Sequence, residues 1–154
     1  MNHLRFVLYT DGASRGNPGR AGVGVWIENG EGSKVAELSR YLGKKTNNEA
    51  EYWALLLGLR EAERRGVTSV KAYTDSELME RQIKGIYRVK DSKLKSLHRR
   101  VMEIIRRFST FEIASIPREQ NREADRLANQ AIERRLGKER ETRGCQGDGM
   151  AAPQ

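Results

Sequence analysis

Apolar positions along the chain follow two periods. Residues 4–10, LRFVLYT, and 21–28, AGVGVWIE, are β-branched, aromatic or small–large alternating runs that read as strands. ENGEGS at 28–33 carries an Asn-Gly turn signal, and residues 34–42 continue as a third strand. The chain therefore opens as an antiparallel meander, with the Gly- and Pro-rich stretch GASRGNPG read as a loop after the first strand. Thr46-Asn47-Asn48 marks a helix start, residues 49–65 are strong helix formers, and Gly66 is the stop. A fourth strand, 69–74, precedes a short helix over 76–84 and a basic connection over 85–91. A third helix, 93–107, carries Leu94, Leu97, Val101, Ile104 and Ile105 at helical spacing. Residues 110–116 read as a fifth strand, 117–120 as a loop, and Asn121 as the cap of a last helix ending near Leu136. From Gly137 the periodicity is gone, so residues 1–136 are expected to form one domain and 137–154 a disordered tail. Three strands followed by βα alternation predict an α/β fold: a five-stranded mixed sheet with helices on its faces.

Composition narrows the setting. The 154 residues suffice for a hydrophobic core without staples. No apolar run approaches the ~20 residues of a membrane span, and the first residues read as a strand rather than a secretory signal. The single cysteine, Cys145, has no internal partner for a disulfide, so a reducing, cytoplasmic compartment is expected. The net charge of +8 favours a polyanionic partner, nucleic acid first. His3 and His98 lie outside every motif and read as surface residues.

Four acids depart from this soluble, basic background. Asp11 ends the first strand in YTDG and Asp75 ends the fourth in YTDS, so two strands with the same local grammar place carboxylates at one sheet edge. On the first long helix, Glu51 shares a face with Ala54, Leu55, Gly58 and Ala62, which can pack closely on the sheet. Glu49 heads a stripe that turns to solvent through Arg60 and Glu63, an ordinary first-turn acid. Asp125 opens the largely apolar stripe Ala128, Asn129, Ile132. Each acid alone suits a turn, a cap or a first helical turn. Four converging would repel one another unless cations neutralised them, and all-oxygen ligation selects Mg²⁺ or Mn²⁺. Such a set suits two cations about 4 Å apart and phosphoryl transfer. No Cys/His spacing points to zinc.

YTDGASRGNPG, TNNEAEYWALLLGL, YTDSE and PREQNREADRLAN, in this order, resemble type 1 ribonuclease H over residues 4 to about 135. The resemblance implies the ribonuclease H-like fold, with the second strand antiparallel to the other four. It implies endonucleolytic cleavage of the RNA strand of RNA–DNA hybrids, leaving 5′-phosphate and 3′-hydroxyl ends. It also implies Asp11, Glu51, Asp75 and Asp125 as the acids that hold two Mg²⁺ ions, with Mn²⁺ as a substitute. The loop Gly12, Ala13, Ser14, Arg15, Gly16, Asn17, with Asn48, would meet RNA 2′-hydroxyls and the minor groove, its glycines letting the substrate backbone approach. Asn17, Thr46 and Asn47 would grip a phosphate of the DNA strand. Double-stranded RNA stays open as a second substrate, and a monomer is the default.

The sequence departs from the family twice. The loop before the last helix, where many members carry a histidine, reads IPREQN. Arg118 is the first substitute and Glu119 the second; an arginine cannot accept a proton, so its role would be to stabilise phosphate or leaving group. The long basic handle of some members is replaced by GIYRVKDSKLK, where Arg88, Lys90, Lys93 and Lys95 can supply phosphate contacts. With no separate N-terminal hybrid-binding domain, affinity is expected from this one domain. Two other classes compete: a non-catalytic hybrid-binding module, which needs no complete acid set, and a resolvase or integrase core, which shares clustered acids but not these motifs. A nucleotide-binding protein is disfavoured because GASRGNPG is not G-x-G-x-x-G and no G-K-[ST] follows.

Overall fold

A computed structural model of the chain describes residues 5–148, with side chains through residue 144. The elements run β1 (Arg5–Gly16), β2 (Gly19–Asn29), β3 (Lys34–Lys45), α1 (Asn47–Arg64), β4 (Ser69–Thr74), α2 (Glu77–Ile83), α3 (Ser92–Ile105), β5 (Thr110–Ser115), a 3₁₀ turn (Arg118–Gln120) and α4 (Arg122–Asp148). The strands form one sheet in the order β3-β2-β1-β4-β5, with β2 antiparallel to both its neighbours and β4 and β5 parallel to β1. This is the expected five-stranded mixed sheet with an antiparallel second strand. No described helix is long and apolar enough to cross a membrane.

The stretch read as a loop after β1 is instead the far end of a long β-hairpin. β1 and β2 stay in register from Phe6↔Asn29 to Gly16↔Gly19, leaving only Asn17 and Pro18 at the tip. The turn residues are real, and Gly16 does take a positive φ of 133°, but they are confined to two or three positions. Asp11 through Ser14 pair with Gly24 through Ala21.

β2 explains its own glycines. Val23, Val25 and Ile27 point to one face and are fully buried, two of them in the core with Leu8, Leu55, Leu56 and Leu59. Gly22 and Gly24 point to the other face, where α4 crosses. A Cβ on Gly24 would lie 2.1 Å from the Ala124 carbonyl oxygen, and one on Gly22 would lie 2.6 Å from that of Ala128. The small–large alternation thus sets α1 and α4 on opposite faces of one strand.

α4 runs on to Asp148, past the expected end near Leu136, so residues 137–148 are helical rather than a structureless tail; 149–154 lie outside the described residues. Charge takes over where apolar periodicity stops. Glu139 pairs with Arg135 one turn back, at 3.1 Å, and with Arg20 on β2, at 2.6 Å. Arg135 lies over the Tyr41 ring, 5.0 Å from its centroid. Such pairs, and the helix-forming Lys138, Glu139, Arg140 and Glu141, sustain the last turns of α4, which continue without the apolar stripe of its first half. His3 lies outside the described residues. His98 is half-buried, not a free surface residue: its Nε2 is 3.3 Å from the Gln82 carbonyl oxygen and its ring meets the Tyr52 edge.

Candidate active site

Two strands and a helix end build the site. Pairing between β1 and β4 stops at Thr10↔Thr74, so Asp11 and Asp75 are the next residue on each strand. β1 continues along β2 while β4 breaks off, which opens the edge between them. α1 meets this gap with its first turn. Thr46 caps it: Thr46 Oγ1 accepts the Glu49 N–H and Glu49 Oε1 accepts the Thr46 N–H, at 3.1 and 2.9 Å. That reciprocal cap occupies Glu49 and leaves Glu51 facing the sheet, where its Oε1 accepts the Gly12 N–H at 3.0 Å. The glycine is required there because α1 touches it: a Cβ on Gly12 would stand 2.1 Å from the Ala50 carbonyl carbon. Gly12 therefore admits the helix backbone, and it also lines the cavity beside Asp11.

One carboxylate oxygen each from Asp11, Glu51 and Asp75 lie within 4.8 Å of one another. They line a cavity of about 540 Å³ with Gly12, Asn47, Ser76 and Arg118. Asp11 is 2% exposed and Glu51 is 4% exposed. Burial, then Asp75 and Asp125 beside it, raise the Asp11 carboxyl to about 8. Burial, then Asp11 and Asp75, push Glu51 well above the carboxylate range, against the pull of the Gly12 N–H. Asp11 Oδ2 is buried and has no hydrogen-bond partner. A dry, acid-only cluster with an orphaned oxygen fits a hard divalent cation, which would supply the missing charge and the missing partner.

The fourth acid stands apart. Asp125, half-buried on the first turn of α4, is outside the three-oxygen cluster but close enough to act on Asp11. Its Oδ1 is 3.4 Å from Arg118 Nη2 and accepts from Asn129 Nδ2 at 3.3 Å. Asp125 first, then Asp11 and Asp75, hold Arg118 in its charged form. Glu119, the other candidate, lies on the 3₁₀ turn away from the cavity lining. Asn121 does not cap α4 with its side chain. Its Nδ2 donates instead to the Thr10 carbonyl oxygen at 2.9 Å.

The residues expected at the substrate divide by place. Asn17 Oδ1 accepts the Asn47 N–H at 3.1 Å, which ties the hairpin tip to the start of α1 beside Thr46 and Asn48. Ser14 Oγ is within reach of two carbonyls, Lys45 at 2.8 Å and Gly16, and its single O–H donates to one of them at a time, while Ala13 is half-buried in the β1–β2 ladder. Arg15 turns away: its guanidinium reaches Glu133 at 2.6 Å and Asn129 at 3.0 Å, both on α4. A second cavity, about 740 Å³, is lined by Pro18, Lys44, Lys45, Thr46, Trp53, Lys93, Ser96 and Arg100. Of the basic residues expected after the short connection, Lys93 alone lines it. Lys44, Lys45, Trp53 and Arg100 were not foreseen. The signal was there in part, since Lys93, Ser96 and Arg100 share a helix face at i, i+3 and i+7.

Comparison with known proteins agrees with this geometry. A family described as reverse transcriptase-like matches residues 9–131. The chain is 41% identical over 129 residues to a protein named ribonuclease HI of Halobacterium salinarum, covering 84% of this chain and 65% of that one. It is 37% identical over 131 residues to a bifunctional protein of Mycobacterium tuberculosis, covering 84% of this chain and 36% of that one. The chain thus spans about two thirds of the first relative's length and about a third of the second's. The crystal structure of RNase H1 from H. salinarum NRC-1 superposes with a TM-score of 0.82 at 40% identity, covering 84% of this chain and 98% of that chain. LC11-RNase H1, solved in complex with an RNA/DNA hybrid, gives 0.81 at 40% identity, with 85% and 99% covered. The chain belongs to the type 1 ribonuclease H family.

Proposed function

We propose that the chain is an endonuclease that hydrolyses the RNA strand of RNA–DNA hybrids, leaving 5′-phosphate and 3′-hydroxyl ends. The observation that carries this reading is the three-carboxylate cluster, two of its members buried, with its orphaned Asp11 oxygen at the open β1–β4 edge. The hybrid bound to the related LC11 enzyme supports the same substrate class. Asp11, Glu51 and Asp75, joined by Asp125, would hold two Mg²⁺ ions, with Mn²⁺ as a substitute. When bound, they supply Lewis acidity toward the scissile phosphodiester.

The chain's own groups do the rest. The Gly12 N–H fixes Glu51 in the cluster. Arg118, permanently charged, is poised at the cavity rim to leave Asp125 and meet the phosphate or the leaving oxygen; it holds no proton that it can exchange. The hairpin and the first turn of α1 present Gly12, Ser14, Gly16, Asn17 and Asn48 to the RNA strand. Thr46 Oγ1 already accepts from Glu49, which leaves its own O–H to donate to a phosphate of the DNA strand. Asn17 uses its carbonyl on Asn47, which leaves its NH₂ for the same phosphate. Lys44, Lys45, Lys93 and Arg100 extend that grip as a basic cavity. Double-stranded RNA is a second candidate substrate, and we place the enzyme in the cytoplasm as a monomer.

Gel-resolved cleavage of end-labelled RNA–DNA hybrid, RNA–RNA, DNA–DNA and a duplex with one embedded ribonucleotide tests the reading, each with Mg²⁺, Mn²⁺ or chelator. Metal-dependent cutting of the hybrid's RNA strand is the expected result. Folded protein that binds hybrid but cuts none of the four would turn the reading to a binding module.

A further inference from the structure

Asn121 is the most buried polar side chain at the head of α4, 1% exposed, yet its Oδ1 has no hydrogen-bond partner. An unused buried acceptor is destabilising, a cost that an apolar residue of the same size would avoid. What the amide does instead is visible in its bonds. Its Nδ2 donates to the Thr10 carbonyl oxygen, the last β1 residue paired with β4, and so fixes the peptide that carries the Asp11 nitrogen. Its backbone adds two more: the main-chain carbonyl of Asn121 accepts the Asp125 N–H at 3.1 Å. The Asn121 N–H donates to the Arg118 carbonyl at 2.9 Å. One residue is thereby bonded to the backbone at or beside three site residues on three different elements.

We infer that Asn121 is a positioning residue that sets Asp125 and Arg118 at a fixed distance from Asp11, so that the fourth carboxylate can complete the cation site. This inference rests on the nuclease reading for its effect on turnover, but not for its effect on metal affinity. Asp125 is the acid the fold leaves loosest. Asp11 and Glu51 are buried and Asp75 follows directly from a central strand, whereas Asp125 is held by a helix that reaches the sheet edge from the opposite face. The Asn121–Thr10 bond is the buried side-chain link between the head of that helix and β1. Without it, the first turn of α4 would still be helical but would lose its buried side-chain tie to the strand that carries Asp11.

The test compares Asn121→Leu and Asn121→Ser with wild type and with Ile132→Val. The last shortens a buried side chain on the same helix, well past the site. Mn²⁺ binding is measured by calorimetry on protein alone, melting temperature in chelator, and kcat and KM on labelled hybrid. Loss of an outer-shell partner weakens metal affinity by about 10–100-fold, and Asn121, whose side chain reaches the ligands through the Thr10 carbonyl rather than a carboxylate, belongs at the low end of that range. The expected result is that loss in both Asn121 variants, with a matching fall in kcat and hybrid KM within about twofold. Ile132→Val lowers melting temperature without moving Mn²⁺ affinity. Wild-type Mn²⁺ affinity and kcat in a folded Asn121 variant would overturn the inference, and so would failure of both variants to fold, which would make the residue purely structural. If wild type binds Mn²⁺ but cuts no hybrid, the nuclease reading fails while the affinity comparison still decides the role of Asn121.

Discussion

Asp11 and Glu51 set the chemistry and its energetic cost at the scale of single residues. Both carboxyls titrate far above their ordinary range because they are dry and face other acids. The sign of the consequence is definite. Asp11 moves from 3.8 to about 8 on folding, so the folded chain binds more protons than the unfolded one between those values. Its stabilising effect is full below the lower value, declines as pH rises, and is lost above the higher one. Metal-free protein should therefore melt at progressively lower temperature between pH 6 and pH 9 in a calorimetric scan. Saturating Mg²⁺ should flatten or reverse that slope, because the ion needs the carboxylates charged. Asp11→Asn should raise the metal-free melting temperature, most at alkaline pH; each kcal/mol is roughly 2–4 °C for a chain of this size. Arg118→Ala should lower kcat by about 10-fold or more while hybrid KM moves little, as expected for a group that acts mainly in the transition state. Steady-state kinetics would expose it as a plain surface residue if both constants stayed at wild type. The acids were readable in the sequence because a carboxylate inside an apolar pattern contradicts its surroundings. Arg15, Gly12 and Asn121 were not, because their partners lie on α4, α1 and β1, and nothing local to each residue identifies them.

Elements decide how close those residues come. The hairpin was hidden because GASRGNPG has the composition of a loop, and only pairing with β2 makes Asp11 through Ser14 a strand. The succession of strands and helices along the chain was legible, since apolar period, the Thr46 cap and Gly66 are all local signals, while the strand order in the sheet was not. The α4 extension was not, because its support comes from Arg20 and Tyr41, more than 90 residues away in sequence, rather than from an apolar stripe. Two predictions belong here. Gly24→Ala should destabilise by about 1–3 kcal/mol in denaturant unfolding, since the new methyl meets α4 backbone rather than a movable side chain. Activity should fall as well, because Ala124, the residue it strikes, precedes Asp125. Glu139→Ala removes two surface ion pairs and should leave the denaturant midpoint close to wild type, with amide exchange speeding up only after residue 136.

The whole molecule adds the field. The net charge of +8 coexists with a cavity of clustered acids whose lining holds one basic residue, Arg118, so the other basic groups lie around it rather than in it. Lys44, Lys45, Lys93 and Arg100 gather in one cavity that shares the cap residue Thr46 with the start of α1. Hybrid affinity should fall steeply with salt. Alanine at these four positions should weaken binding and flatten the dependence of log K on log salt by about one for each phosphate no longer neutralised. Cleavage chemistry at saturating hybrid should survive that change, which separates grip from catalysis. Charge alone could foretell a polyanion; which lysines meet required α3 to be placed against the end of β3.

Cleavage depends most directly on Asp11. Asp11→Asn should be compared with wild type for hybrid binding by fluorescence anisotropy and for RNA-strand cleavage in Mg²⁺. Binding within about threefold of wild type, in line with an affinity carried by phosphate contacts, together with no detectable cutting, is the predicted result. Magnesium-dependent cleavage near the wild-type rate would contradict the carboxylate cluster as the seat of the reaction.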